Sequence, residues 1–407
     1  MEHGESRRTD PMKTEWKSRS ALQLGNDLVQ MTMLTGGGHL AAFAFVPSSG
    51  NATDNAIWES PWPTADPLTP EHDELSKAYG GRPTGTFLAS YSGHSLCLDC
   101  FGPPSDLEAS LGVTLHGEAG IADWVCESDS PLDASLAVRA ELPITGLQVA
   151  RKFQLTPGES VVRVQEQVRN LRDTPREIQW QQHATLGEPL LSPESCSIAA
   201  SVGKGRTWTL GYDGPCLLPS DKEFEWPFVD TEAHGRRDLR HPFTPPNGGF
   251  VAGLQQVPGR EIGFIAALNW DLGLVFGYCF RSADFPWMTM WHENRARAYA
   301  PWDGRTRALG LEFGPTPLPV GKEEMARQRG KFDGPIDRTV PPHGKLNQSW
   351  LMFLASVPRT WRQVENVTVE EDKILLREAS GDQTTLVARR ALAFLRSDNV
   401  PGLFSAL

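Results

Sequence analysis

Long apolar runs are missing from this chain of 407 residues. None reaches the roughly 18 residues that a membrane-spanning helix needs. Positive charge is also short. Lys and Arg number 39 against 50 Asp and Glu, a formal net charge of −11. That balance argues against a nucleic-acid or anionic-membrane partner, since both require clustered Lys and Arg. The first twenty residues are polar and lack the apolar stretch of a signal peptide, so a cytoplasmic chain is expected. For the same reason the sequons at Asn51, Asn347 and Asn366 carry little meaning. Cysteine is sparse, and six in the whole chain are too few for a disulfide scaffold. Cys97-Leu-Asp-Cys100 has the spacing of a zinc knuckle or redox pair. No second such pair follows and no βαβ pattern surrounds it, so packed thiols are expected. Gly-x-Ser-x-Gly, His-Glu-x-x-His and Walker sequences are absent, and Gly36-Gly37-Gly38 precedes no helix. Nothing in the sequence calls for a metal or another cofactor.

Long helical patterns are scarce too, and period-2 alternation takes their place. Leu147, Val149, Phe153 and Leu155 share one face of a strand that breaks at Thr156-Pro157-Gly158-Glu159. Ser160–Asn170 follows, with Val162, Val164 and Val168 on one side and Arg163, Gln165 and Gln167 on the other, which predicts a hairpin. Further strands are expected over 177–183, 262–268, 272–280, 306–314 and 347–355, with a terminal hairpin starting at 373. Short helices are expected over 70–79 and 320–329, while 386–395 fits helix or strand. Residues 1–19 read as a loose tail and 20–407 as one domain with a C-terminal hairpin extension. Strands at this density, paired in sequence order, indicate an all-β antiparallel sandwich with a few short helices.

Sidedness then picks out candidate chemistry. In 306–314, Leu309, Leu311 and Phe313 take one face, leaving Glu312 between Gly310 and Gly314 on the other. Small neighbours leave room for a ligand beside the carboxylate. His183 shares a face with Gln179 and Gln181, opposite Ile178 and Trp180. His116, followed by Gly117, ends a stretch read as a strand, on the face opposite Val113 and Leu115. Each also has a plain reading, as a solvated glutamate or a hydrogen-bonded histidine. Together on one sheet they would supply a general acid and a general base. The segment 286–295 adds Trp291, whose face suits the C–H side of a sugar ring, with Glu293, Asn294 and Arg295 as partners for hydroxyls.

The pattern resembles the aldose 1-epimerase (galactose mutarotase-like) superfamily, in a divergent bacterial branch. The pieces run in order from Gly37-Gly38-His39-Leu40-Ala41 through Leu115-His116-Gly117 and His183-Ala-Thr-Leu-Gly187 to Leu309-Gly-Leu-Glu312-Phe-Gly. The resemblance implies a large antiparallel β-supersandwich. It also implies Glu312 as general base, His183 as general acid, and His116 as a sugar-binding residue, with a small-molecule sugar as partner and no cofactor. The base would take the anomeric hydroxyl proton while the acid protonates the ring oxygen; the ring opens, C1–C2 rotates, and closure gives the other anomer. Two departures stand out. The Gly-Arg-x-x-Asn-Arg segment of the galactose enzymes has no counterpart, and position 120 is Gly120. Two other readings of the fold remain open: a non-catalytic carbohydrate-binding protein, or a polysaccharide lyase or hydrolase.

Overall fold

The computed structural model describes residues 12–47, 55–128, 134–208, 210 and 212–397. Asn51 and residues 1–11 lie outside them. Residues 12–19, expected in a tail, instead form the strand Met12–Trp16 and its turn into Arg19–Gly25. A five-residue strand carrying Lys13, Thr14 and Glu15 shows no apolar stripe in sequence; its ladder to Arg19–Gly25 defines it. These two continue through Val29–Leu34 and Leu40–Phe45 as a four-stranded meander.

Two larger antiparallel sheets make the body. In one of eight strands, Ile262–Asn269, Leu274–Arg281, Lys345–Ser356, Val161–Asn170 and Leu147–Leu155 are successive neighbours. The expected 147–170 hairpin is one of its pairs. In one of eleven strands, Gly248–Gln256, Trp287–Asn294, Arg307–Gly314 and Arg176–His183 lie side by side, and Ser95–Asp99 pairs with the last of these. The sheets stack through their apolar faces. Phe313 meets Phe280 at 4.8 Å and Trp350 at 5.7 Å between ring centroids. Leu309, Leu311, Met288 and Met290 join Tyr278, Met352 and Val164 in the same cluster. Fully burying such a side chain contributes roughly 1.5–3 kcal/mol.

The outer face of the eight-stranded sheet is covered by Val364–Val369, Lys373–Glu378, Gln383–Val387 and the helix Ala391–Arg396. The terminal hairpin thus gains a third strand, and the ambiguous 386–395 divides between strand and helix. Helices form at Pro70–Ala78 and Lys322–Arg327, where expected. Cys97 and Cys100 are buried free thiols, as the packed reading requires. Among the described residues, no helix is long and apolar enough to cross a membrane.

The strand expected to end at His116 is absent. The helix Asp106–Leu111 starts in a capping box, with Ser105 Oγ accepting from Glu108 N and Glu108 accepting from Ser105 N, and it ends at left-handed Gly112. From there 113–117 runs as a turn whose Gly117 bridges Leu98 of the sheet. Two apolar residues, Val113 and Leu115, are too few to fix a strand against these turn-forming glycines.

Candidate active site

Register carries sidedness from strand to strand. Thr289, Trp291 and Glu293 lie opposite Glu312, Gly310 and Ala308. Their alternates, with Phe313 and Gln182 paired on the next strand, face the eight-stranded sheet. Glu312, Gln181 and His183 therefore project from the outer face. His183 Nε2 lies 3.3 Å from Glu312 Oε1. The rings of His183 and His116 are 4.7 Å apart, and Trp291 lies 5.8 Å from His183. His116 reaches in from its turn at φ 65°. That left-handed conformation costs about 1–3 kcal/mol in a residue with a Cβ and is often held at functional sites.

All of these side chains are buried. Glu312 Oε2, Gln181 Nε2 and His116 Nδ1 have no hydrogen-bond partner among the described residues. Burial pushes the Glu312 carboxyl well above the usual carboxylate range. It lowers His183 to about 3. Burial, then the neighbouring His183, holds His116 well below the usual imidazole range. Burial thus disfavours the charged form of both groups in the 3.3 Å contact, although its atoms would suit an ion pair.

The two glycines beside Glu312 serve a purpose other than ligand approach. A Cβ at Gly310 would meet Glu312 Oε1 at 2.4 Å, and one at Gly314 would meet Gln181 Oε1 at 1.9 Å. The bare strand surface seats these two side chains.

Two expected hydroxyl binders do not hold. Glu293 accepts from Tyr212 Oη at 2.7 Å, Ala296 N at 2.6 Å and Arg297 Nη1 at 3.0 Å, which saturates its carboxylate. Arg295 is exposed in a left-handed turn. The guanidinium that reaches the aromatic wall is that of Arg297, 4.5 Å from the Tyr212 ring and 4.7 Å from that of Trp302. The wall continues through Trp62, Trp58 and Tyr91. Trp291 stands in it and donates to Tyr212 Oη at 3.0 Å. Trp287 is packed, donating to the Pro335 carbonyl at 2.7 Å. Near it, a cavity of about 300 Å³ lies over Lys204, Arg206, Glu225 and Lys331. Its cations Arg206 and Lys331 are already paired with Asp221, and it holds none of the acid–base groups. The motif histidine His39 is a satisfied core residue, bonded to Gly120 O and Ser92 N at 3.0 Å each.

Neither a family model nor a curated protein matches the sequence. Solved structures do match. One is named as a candidate aldose 1-epimerase from Klebsiella pneumoniae, at TM-score 0.56 and 15% identity, over 85% of this chain and 82% of that one. Another is a galactose mutarotase-like protein from Clostridium acetobutylicum, at TM-score 0.54 and 12% identity, over 86% and 100%. A third is a galactose mutarotase related enzyme from Lactobacillus acidophilus, at TM-score 0.52 and 10% identity, over 83% and 98%. The fold is galactose mutarotase-like. At these identities the likeness is one of fold, as a divergent branch would show. The structure brings together Glu312, His183, His116, Gln181 and Trp291, which the sequence singled out, and sets beside them Tyr91, Thr185, Tyr212 and Arg297, which it did not. Thr185 alone left a signal, since it stands two residues from His183.

Proposed function

We propose that this protein interconverts the anomers of a small sugar, as an aldose 1-epimerase-like enzyme. One observation carries the reading. A carboxyl and an imidazole in contact at 3.3 Å are buried beside three unpartnered polar atoms on Glu312, Gln181 and His116. Each unpaired buried polar atom costs about 1–3 kcal/mol. A ligand rich in hydroxyls, lying against Trp291, would satisfy them.

The reactive form is a Glu312 carboxylate beside a His183 imidazolium whose Nε2–H faces the ligand. The carboxylate takes the O1 proton and the imidazolium gives one to O5. The C1–O5 bond breaks as C1=O1 forms. What remains is neutral Glu312 and neutral His183, the forms burial favours. Burial therefore lowers the energy of the open-chain stage relative to the charged start. O1 and O5 hang on the same carbon, so groups standing side by side serve both.

A second reading, a sugar-binding protein without turnover, is favoured by the same burial, which opposes charging the pair. Saturation-transfer NMR across a panel of aldoses decides between them. Wild-type protein should speed anomer exchange, and Glu312→Gln should lower kcat by about 10²–10⁴-fold while sugar affinity stays within a few-fold. Binding with no exchange above the spontaneous rate, in wild type and variant alike, would establish the second reading.

A further inference from the structure

The Nδ1 side of His183, turned away from Glu312, is held by two hydroxyls. Tyr91 Oη and Thr185 Oγ1 each lie 3.1 Å from Nδ1, and they also hydrogen-bond each other. Tyr91 comes from the loop after Thr84–Leu88, and Thr185 from the short pairing of Thr185–Leu186 with the Glu312 strand. Both are buried, and the Tyr91 ring is fixed by Phe87 at 4.7 Å and by the His183 edge at 5.4 Å.

Counting hydrogens in this triangle selects a tautomer. Two hydroxyl hydrogens need acceptors. If Nδ1 is bare, one hydroxyl donates to it and the other donates to the first oxygen, so both are satisfied. If Nδ1 carries a hydrogen, three hydrogens compete for two oxygens and one is left without an acceptor. Leaving a buried donor unpaired costs about 1–3 kcal/mol.

We infer that Tyr91 and Thr185 are positioning residues that lock neutral His183 as its Nε2–H tautomer, with its proton on the side of Glu312 and the ligand. The triangle fixes which nitrogen donates. It also resists the imidazolium, whose second hydrogen would land on Nδ1. The hydrogen count stands without the proposed sugar chemistry; only the part that donation plays in catalysis rests on that reading.

Histidine ¹⁵N–¹H long-range correlation spectra test it, with the His183 signals assigned by their loss in His183→Gln. Wild type should give the Nε2–H pattern. Tyr91→Phe with Thr185→Val should give a tautomer mixture, while Thr185→Ser, which keeps a hydroxyl, should retain the wild-type pattern. An Nδ1–H pattern in wild type overturns the proposal, and so does an unchanged tautomer in the double variant. Wild type with the Nε2–H pattern but no anomer exchange would instead defeat the proposed function and leave the tautomer assignment standing.

Discussion

Gly310 is a residue whose replacement separates folding from chemistry. The Cβ of Gly310→Ala would strike Glu312 Oε1, the far end of a flexible side chain, which can swing aside. Misplacing a reacting group by about 1 Å can cost roughly 10²-fold in rate. The expected outcome is a large loss of anomer exchange with a urea midpoint close to that of wild type. A stability loss with normal kcat would refute this account of the glycine. Glu293 behaves in the opposite way. Its carboxylate braces Tyr212, Arg297 and the Ala296 amide, so Glu293→Gln should first loosen the aromatic wall. The expected readout is weaker sugar binding, with the pH profile of kcat unchanged.

At the scale of elements, what holds the Arg176–His183 strand in place is a polar cluster between the sheets. Arg151 donates to Glu166 at 2.7 Å and to Gln182 Oε1 at 2.9 Å. Gln182 and Gln348 both donate to Glu166 at 2.6 Å. Gln182 sits between Gln181 and His183, so this cluster pins the register that turns both outward. Arg151→Met would leave the Glu166 charge buried and unpaired, and about 3–5 kcal/mol of stability should be lost in urea unfolding. Replacing Glu166 by Met as well should restore much of it. The cluster was legible only in part. Alternation in 160–170 correctly divides Val162, Val164 and Val168 from Arg163, Gln165 and Gln167, yet Glu166 falls on the valine face. A single acid in an apolar stripe signals a buried partner, but its partner lies on another strand and no local pattern names it. The strand expected to end at His116 failed to form for the converse reason. Local alternation suggested a strand where Gly112 and Gly117 set the backbone.

Across the whole molecule, burial has left many histidines neutral. His39, His183 and His292 are lowered to about 3, and His94 and His116 fall well below the ordinary range, all chiefly by desolvation. In the unfolded chain each takes up a proton below about 6.5, while the folded protein does not, so acid favours unfolding. Stability should fall as pH drops from about 6.5 toward 3, by up to about 1.4 kcal/mol per pH unit for each histidine. Glu312 acts with the opposite sign. Its raised value favours the folded state below about 4.5, and that contribution is lost as pH rises. Six lowered histidines, His72 among them, outweigh the two raised carboxyls of Glu312 and Glu118, so the melting temperature should decline steadily below about pH 6.5. A flat profile between pH 6.5 and 4.5 would contradict the buried neutral histidines.

Alternation by itself determined which residues could share a face, and so fixed the all-β class, most strand positions, and the outward direction of Glu312, Gln181 and His183. That follows because a strand's two-residue period is local. Tertiary structure decided which faces meet, since pairing between distant strands depends on packing that no window of sequence contains. It brought His116 in from a turn, filled the space at Gly310 and Gly314, saturated Glu293, and put Arg297 in the place expected of Arg295. It also set Tyr91 and Thr185 behind His183, because burial decides which polar atoms keep a partner and which stay free for a ligand.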